Sequence, residues 1–533
     1  MLHKQHVLSK KYKLLPSFPP NTYDSFIGLL REQLSEDLSF KAGHLNKMLT
    51  SKINDRRDPV TDDVRRDRAI DKWLNRELVN KDTNIRIMFS DETDFLFLND
   101  RGFPVSARDV IEWSRVQLTR LLGETVPWEA LRGSFSGGAS TSLKRSAGMV
   151  PRKYQDGKDI THHALRVYGL LTHSAWVMPR DLELVEGNVM FTVPKTAEID
   201  RVACKEPELN MYCQKAIGDF IRRKLKTVGI DLNDQSVNQG LAIQGAIDGS
   251  LATIDLSSAS DSVTKQLVIE LLPYEWSELL MDLRSPKTYV RGEWHANNMI
   301  ASMGNGYTFE LESLIFWILV RACMYFTHTS GSMSVYGDDI ICPVGLRDSV
   351  ESTLSFFGFD INESKSFWSG PFRESCGMHW HSEEGDVTPF YVKNVPVSVT
   401  DWIHILNSLR KWASWGRERI CDPRYYDLWS LFSELIPEPV KGSWDVARKE
   451  ALVRHGRRNI AVIRPILRSD HRMTDKYQYG SYVRWLDTTE TRREPPTLAA
   501  EDPFSYEGPL QLRRLKVQKD TRHLPVFPQE YET

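Results

Sequence analysis

Two adjacent aspartates in the turn of a short hairpin constrain this chain more than any other feature. Ser334-Val335-Tyr336 and Ile340-Ile341-Cys342 are apolar, strand-like runs; Gly337-Asp338-Asp339 lies between them and Pro343 follows the second. Such runs around a Gly-containing turn predict an antiparallel hairpin. Two carboxylates side by side at its tip resist joint ionisation unless a cation neutralises them. Their hard oxygens suit Mg²⁺; a polar turn exposed to water is the alternative. Gly-Asp-Asp arises by chance in about one chain in ten of this length. The tripeptide therefore gains its meaning from its apolar flanks and from partners elsewhere in the chain.

A third carboxylate stands at Asp255, directly after Leu251-Ala252-Thr253-Ile254, which reads as a short buried strand. It either projects past the sheet edge toward the hairpin or caps the helix expected to start from Ser258 or Ser260 and run through Val268, Leu271 and Leu272. Cations for a polyphosphate are available at Lys195, Arg201 and Lys205, in a strand-and-turn context, and at Arg222-Arg223-Lys224-Leu225-Lys226 on a helix. Lys and Arg pair with phosphate oxygens, Arg in a bidentate fork. A solvated basic face is the alternative for Arg222 to Lys226.

The whole-chain balance sets limits on any such reading. Among 533 residues, 41% are hydrophobic and 26% charged, an ordinary globular composition. The formal net charge of −2 supplies no global field for nucleic acid, so binding must rely on local clefts. The six cysteines include no Cys-x-x-Cys pair, which argues against a disulfide framework or a zinc ribbon and fits a reducing cytosol. The N-terminus lacks the apolar core of a signal peptide. The most apolar run, Leu314 to Val320, is too short to span a bilayer and reads as part of a buried helix from about Phe309 to Phe326.

Asp255-Leu-Ser-Ser-Ala-Ser-Asp261, Ser302-Met-Gly-Asn-Gly-Tyr-Thr-Phe-Glu-Leu-Glu-Ser313 and Tyr336-Gly-Asp-Asp339 stand in the order of polymerase motifs A, B and C. Val193-Pro-Lys195 with Asp200-Arg201 and Glu206-Pro207 looks like motif F, and Asn362-Glu-Ser-Lys365-Ser366-Phe367 like motif D. Together they resemble the replicase β subunits of the small single-stranded RNA coliphages, levivirus type. The resemblance implies an α+β right-hand polymerase with an antiparallel palm sheet, fingers and a mainly helical thumb. It implies RNA-directed RNA synthesis from NTPs with pyrophosphate release, copying genome and antigenome in the host cytoplasm.

Carried onto this chain, the resemblance makes Asp255, Asp338 and Asp339 the ligands of two Mg²⁺ ions, with Mn²⁺ a substitute. Asp261 would face the ribose 2′-OH of the incoming nucleotide. Ser302, Gly304 and Asn305 would form a loop beneath the nascent base pair; Lys195, Arg201 and Lys205 would hold the triphosphate; and Lys365 would protonate departing pyrophosphate. Implied partners are RNA template and product, host elongation factors Tu and Ts, ribosomal protein S1 and, for some templates, another RNA-binding host factor, with no membrane. A reverse transcriptase-like polymerase and a non-catalytic RNA-binding scaffold are the rival readings.

The expected division is residues 1–240 as N-terminal region and fingers, 241–399 as palm with a fingers insertion near 265–300, 400–487 as helical thumb, and 488–533 as a loosely ordered, Pro-, Glu- and Arg-rich tail. Residues 51 to 80 mix both charge signs and read as a solvated helical face. Cys376, His379 and His381 read as a hairpin rather than a zinc site, and His162-His163 as a helix-surface pair. The Gly133 to Gly138 stretch reads as a loop without P-loop chemistry. Trp402, Trp412, Trp415 and Trp429 read as core. The basic stretch from Arg448 to Arg472 reads as an RNA-facing surface.

Overall fold

The computed structural model describes residues 21–53, 60–145, 148–171, 182–397, 399–414 and 421–436, with the backbone of four further strands between 441 and 518. The chain divides into two compact units, Val60–Gly385 and a second built from Met1–Pro59 with Asp386–Thr533. The larger unit contains, in order, helix α1 (Asp62–Met88), strands β1 (Gly187–Pro194) and β2 (Asp200–Lys205), and helices α2 (Glu208–Thr227) and α3 (Ser236–Asp248). Strands β3 (Leu251–Ile254) and β4 (Leu256–Ser257), helix α4 (Lys265–Leu271), and strands β5 (Lys287–Val290) and β6 (Glu293–Ala296) follow. Helix α5 (Thr308–Phe326) precedes β7 (Ser334–Tyr336), β8 (Asp339–Pro343), β9 (Asp360–Ile361), β10 (Phe372–Ser375) and β11 (Met378–His381). The class is α+β, with small, largely antiparallel sheets set among helices.

Two sheets position the chemistry. In the first, β7 pairs with β8 and β8 with β3, both antiparallel. The second runs β6-β5-β1-β2, antiparallel except for the parallel β1–β5 pair. Helix α5 lies in the core because its 314–320 run is apolar on every side, and each of those residues is buried. At about 1.5–3 kcal/mol per buried large side chain, this helix is a principal source of the unit's stability. Among the described residues no helix is long and apolar enough to cross a membrane.

The structure corrects two expectations. The helix after Asp255 is not capped by Ser258 or Ser260: a 3₁₀ turn covers Ser260–Ser262, and Thr264 caps α4 by accepting from the Leu267 N–H. Ser258 instead adopts a left-handed conformation, φ 57°. Helix α1 is not simply a solvated face. Ala69, Trp73, Glu77, Asn80 and Thr83 recur at helical spacing on its buried side, and Trp73 packs edge-on against His295 at 5.3 Å. Charge-rich composition hid that stripe, because three of its members, Glu77, Asn80 and Thr83, are polar residues buried through hydrogen bonds.

Glu77 is the clearest of these. Its carboxylate accepts from Asn80 Nδ2 at 2.9 Å and from the backbone N–H groups of Asn298 at 2.5 Å and Met299 at 2.9 Å, and lies 3.3 Å from His295 Nε2. Burial alone would raise its pKa, but these donors outweigh burial and hold it below the ordinary value. A depressed carboxylate stabilises the fold above its unfolded pKa, and that contribution is lost as pH falls through the folded value. Glu77→Gln would set an amide NH₂ against backbone donors and is expected to cost about 3 kcal/mol at pH 7. Urea midpoints of the two proteins should converge as the pH is lowered through the acid range; a constant gap would remove the charge from the account.

In the smaller unit, helices Thr22–Glu36 and Val399–Trp412 meet through Phe26, whose ring stands edge-on to Trp402 at 5.7 Å. Trp402, Trp412 and Trp429 are buried as expected; Trp415 lies outside the described residues. So does most of the Arg448 to Arg472 stretch, of which only the backbone of Leu452–Val453 and of Val462–Ser469, paired with Leu510–Gln518, is given.

Candidate active site

The hairpin forms with Gly337 at φ 62°, a left-handed turn conformation open to glycine. The Gly337 N–H donates to Ser313 Oγ at 2.9 Å, which ties the turn to helix α5. Register then brings the third carboxylate in: Ile340 pairs with Ile254, so Asp255, one residue further on, stands across from Asp339. On the far edge of β3, segment 362–367 docks by backbone bonds: Asn362 N–H to Asp255 O at 2.9 Å and Phe367 N–H to Thr253 O at 2.7 Å. That docking delivers Lys365, whose Nζ lies 3.8 Å from Asp255 Oδ2, and Asn362, whose Nδ2 donates to the same oxygen at 2.8 Å. Asp339 Oδ1 accepts from Ser375 Oγ at 3.3 Å, and its backbone carbonyl from Asn238 Nδ2 at 3.1 Å.

The carboxylates feel one another. Burial raises the Asp255 pKa, and Asp338 adds to the rise against the opposing pull of Lys365 and Lys195. Burial first, then Asp338, pushes Asp339 up to about 6. Glu312 of α5, buried beside the turn, is raised well above its ordinary value by burial and then by Asp338, Asp261 and Glu310. Four acids share a region too small for their charges, and a bound cation would relieve them. Asp255, Asp338 and Asp339 offer the hard oxygens a divalent ion takes. Among the described residues no group of three His, Cys, Asp or Glu side chains converges closely enough to hold a metal, and Asp255 is engaged by Lys365 and Asn362 instead.

A cavity of about 310 Å³ opens beside the hairpin. Asp338 lines it, together with Lys195, Arg201, Asp261, Glu312 and, from α1, Lys72. Burial of its ammonium first, then the neighbouring charges of Arg201, Lys72 and Lys365, hold Lys195 below its ordinary value, with Asp255 opposing. Lys72 makes no ion pair among the described residues. Asp261 is raised to about 6 by burial and then by Glu77, while Lys72, Arg201 and Arg76 lower it. Its Oδ1 is buried without a hydrogen-bond partner, a costly condition that a ligand hydroxyl would relieve.

Not every expected residue is there. Lys205 lies four residues along β2 from Arg201, about 13 Å away at strand rise, and its Nζ sits over the Phe191 ring rather than in the cavity. Ser302, Gly304 and Asn305 do not line it either; the loop's cavity residue is Met303. Gly304, at φ 116°, is a close approach: a Cβ there would fall 2.1 Å from the Cys204 carbonyl oxygen. Asn305 Oδ1 accepts from the Tyr307 N–H at 2.9 Å. Arg222 leaves the triphosphate set altogether, since its guanidinium is committed to Glu310 and Asn233. Lys72 is the residue sequence reading missed. It stands amid charges of both signs on α1, and only the packing of Trp73 and Ala69 beneath β2 turns it toward the cavity. The Cys376 segment forms the β10–β11 hairpin, with His379 buried beside Glu374 at 3.4 Å.

Paired acids, the three cations Lys72, Lys195 and Arg201, and a carboxylate with a free oxygen are together the groups that can take up, with a divalent cation, a polyphosphate bearing a hydroxyl-rich sugar. A family model described as RNA replicase, beta-chain, matches residues 26–498. The RNA-directed RNA polymerase beta chain of Enterobacteria phage fr is 41% identical over 424 residues, 74% of this chain and 75% of that protein. That of Enterobacteria phage GA is 39% identical over 414 residues, 75% of each chain. The RNA-directed RNA polymerase subunit beta of Escherichia virus Qbeta is 37% identical over 428 residues, 78% of this chain and 71% of that one. Among solved structures, the RNA-dependent RNA polymerase of BmCPV at its elongation state aligns with TM-score 0.37 and 10% identity, over 66% of this chain and 35% of that one. The chain belongs to the RNA replicase beta-chain family.

Proposed function

We propose that this chain is the catalytic subunit of an RNA phage replicase, an RNA-directed RNA polymerase that joins NTPs to a growing strand and releases pyrophosphate. The observation that carries it is the meeting, in one cavity, of the Asp338 hairpin, the Lys195–Arg201–Lys72 cations and the unsatisfied Asp261 carboxylate. Asp255, Asp338 and Asp339 would hold the divalent cations, two Mg²⁺ with Mn²⁺ a substitute, which when bound stabilise the attacking and leaving oxygens of an in-line phosphoryl transfer. Lys195 and Arg201 hold the triphosphate by charge-assisted bonds. The Lys365 Nζ, half-exposed and kept beside Asp255 by the docked segment, delivers the proton to departing pyrophosphate. The Ser302-to-Asn305 loop, braced against Cys204, supports the nascent base pair through Met303. Copying of genome and antigenome in the host cytoplasm, with elongation factors Tu and Ts, ribosomal protein S1 and a further RNA-binding factor as partners, belongs to the same reading.

Incorporation of NTPs and dNTPs on one RNA template, with and without divalent metal, tests it. NTP-specific, metal-dependent synthesis is expected; efficient use of dNTPs would overturn it in favour of a reverse transcriptase-like enzyme. Asp261 makes the sugar preference specific. Its orphaned Oδ1 accepts a bond from the 2′-OH, which a dNTP lacks. Asp261→Ala is expected to lower the NTP-over-dNTP ratio of kcat/KM by about 10- to 100-fold, read from single-nucleotide extension, through loss of the NTP rate rather than gain for dNTP. An unchanged ratio removes Asp261 from sugar recognition.

A further inference from the structure

Lys205, displaced from the cavity, belongs to a surface that the polymerase reading leaves unused. Strand pairing sets Trp294 opposite Tyr289, Tyr289 beside Val189, and Val189 opposite Lys205, a single row across all four strands of the β6-β5-β1-β2 sheet. Side chains alternate along a strand, so Phe191 and Val193 of β1 and Arg201 of β2 share that face. The opposite face packs on α1, through Val202, Met190 and His295. Asp200 and Glu293, the acids of these strands, both belong to that other side.

The open face is therefore aromatic, aliphatic and cationic, without a carboxylate of its own strands. Trp294 is 41% exposed and Tyr289 39%, large values for such rings in a sheet, and they lie 5.2 Å apart. Lys205 Nζ is held 5.7 Å over the Phe191 ring. At the far end of the face stands Arg201, which also lines the catalytic cavity. Exposed rings beside cations on an open sheet are the means by which proteins take up unpaired bases, the rings stacking on the bases and the cations meeting phosphates. Bases inside a duplex are already stacked on one another and give these rings no purchase.

We propose that this face binds single-stranded RNA, stacking bases on Trp294, Tyr289 and Phe191, with phosphates at Lys205, and leads the strand to the cavity at Arg201. The inference deepens the polymerase reading by naming the path of its template. It is tested without turnover, in the Asp338→Asn background, by fluorescence anisotropy of a labelled unstructured oligoribonucleotide and of a duplex containing it. Trp294→Ala and Tyr289→Ala should each weaken single-strand binding about tenfold, with duplex binding unchanged. Trp294→Phe should keep most of the affinity. Lys205→Gln should flatten the salt dependence of single-strand binding by about 0.7 in log–log slope. Single-strand affinity unchanged in the two alanine variants overturns the inference, as does an equal loss for duplex or loss of a co-purifying protein in its place. Failure of the polymerase reading would appear separately, as absent NTP incorporation or efficient dNTP incorporation by the parent protein on an RNA template.

Discussion

Asp338→Asn is expected to reduce nucleotide incorporation by about 10³-fold or more while leaving RNA retention within about twofold. The substitution keeps the shape of the side chain and removes its charge. Of the three aspartates at the hairpin, Asp338 is the one that lines the cavity, and its charge raises the pKa of Asp255, Asp339 and Glu312. Its removal relieves repulsion in the free protein, so the fold should be no less stable. What is lost is a ligand for the cation that stabilises developing charge, an effect of several kcal/mol; about 4 kcal/mol corresponds to 10³ in rate. Single-turnover incorporation of labelled NTP and filter binding of RNA, on one preparation, separate the two. Synthesis within tenfold of the parent would take the hairpin out of the mechanism, and parallel loss of RNA binding would favour a scaffold whose acids serve structure.

The hairpin, β3 and α5 were legible because each is specified locally: apolar runs of strand length, a glycine at the turn, an apolar helix without a polar side. Register did the rest, and a two-residue strand end is enough to say that Asp255 faces Asp339. The cations were legible only in part. Lys195 and Arg201 flank a turn, so neighbours in sequence stay neighbours in space. Lys205 continues the same strand, and strand rise carries it away from them; residue type and proximity in sequence say nothing of that distance. Lys72 was illegible for the opposite reason, being 123 positions before Lys195 (195 − 72) yet lining the same cavity. Its placement depends on Trp73 packing under β2 and on Glu77 gripping the Asn298–Met299 backbone, contacts no local pattern encodes.

Net charge shows the same division. A chain at −2 has no global field to gather RNA, yet Lys72, Arg201 and Lys365 stand close enough to Lys195 to add to the burial that depresses its pKa. Other acids are spent on local pairs along α1: Asp62, Asp63, Asp67 and Asp71 pair with Arg65, Arg66 and Arg291. The cavity itself sets Lys72, Lys195 and Arg201 beside Asp200, Asp261, Glu312 and Asp338, so its attraction for a polyanion depends on a cation that neutralises the acids.

Gly337→Ala is expected to lower kcat by about 10²-fold with only a modest loss of stability. At φ 62° an alanine pays about 1 kcal/mol in left-handed strain. Its Cβ would also fall 2.6 Å from Phe309 Cε2 and 3.2 Å from Glu312 Oε1. The Phe309 ring cannot withdraw freely, because Tyr336 stands edge-on to it at 5.1 Å and the Arg222 guanidinium lies 5.7 Å from its centre. The turn must move instead, stretching the Gly337 N–H bond to Ser313 and carrying Asp338 with it. Displacement of a reacting group by about 1 Å is worth about 10² in rate. Gly345→Ala serves as the control, since its added Cβ meets nothing within 4 Å, and should leave kcat unchanged. A Gly337→Ala enzyme with kcat within threefold of the parent would show that the hairpin tolerates displacement, and that the close fit between α5 and the turn does not set the position of Asp338.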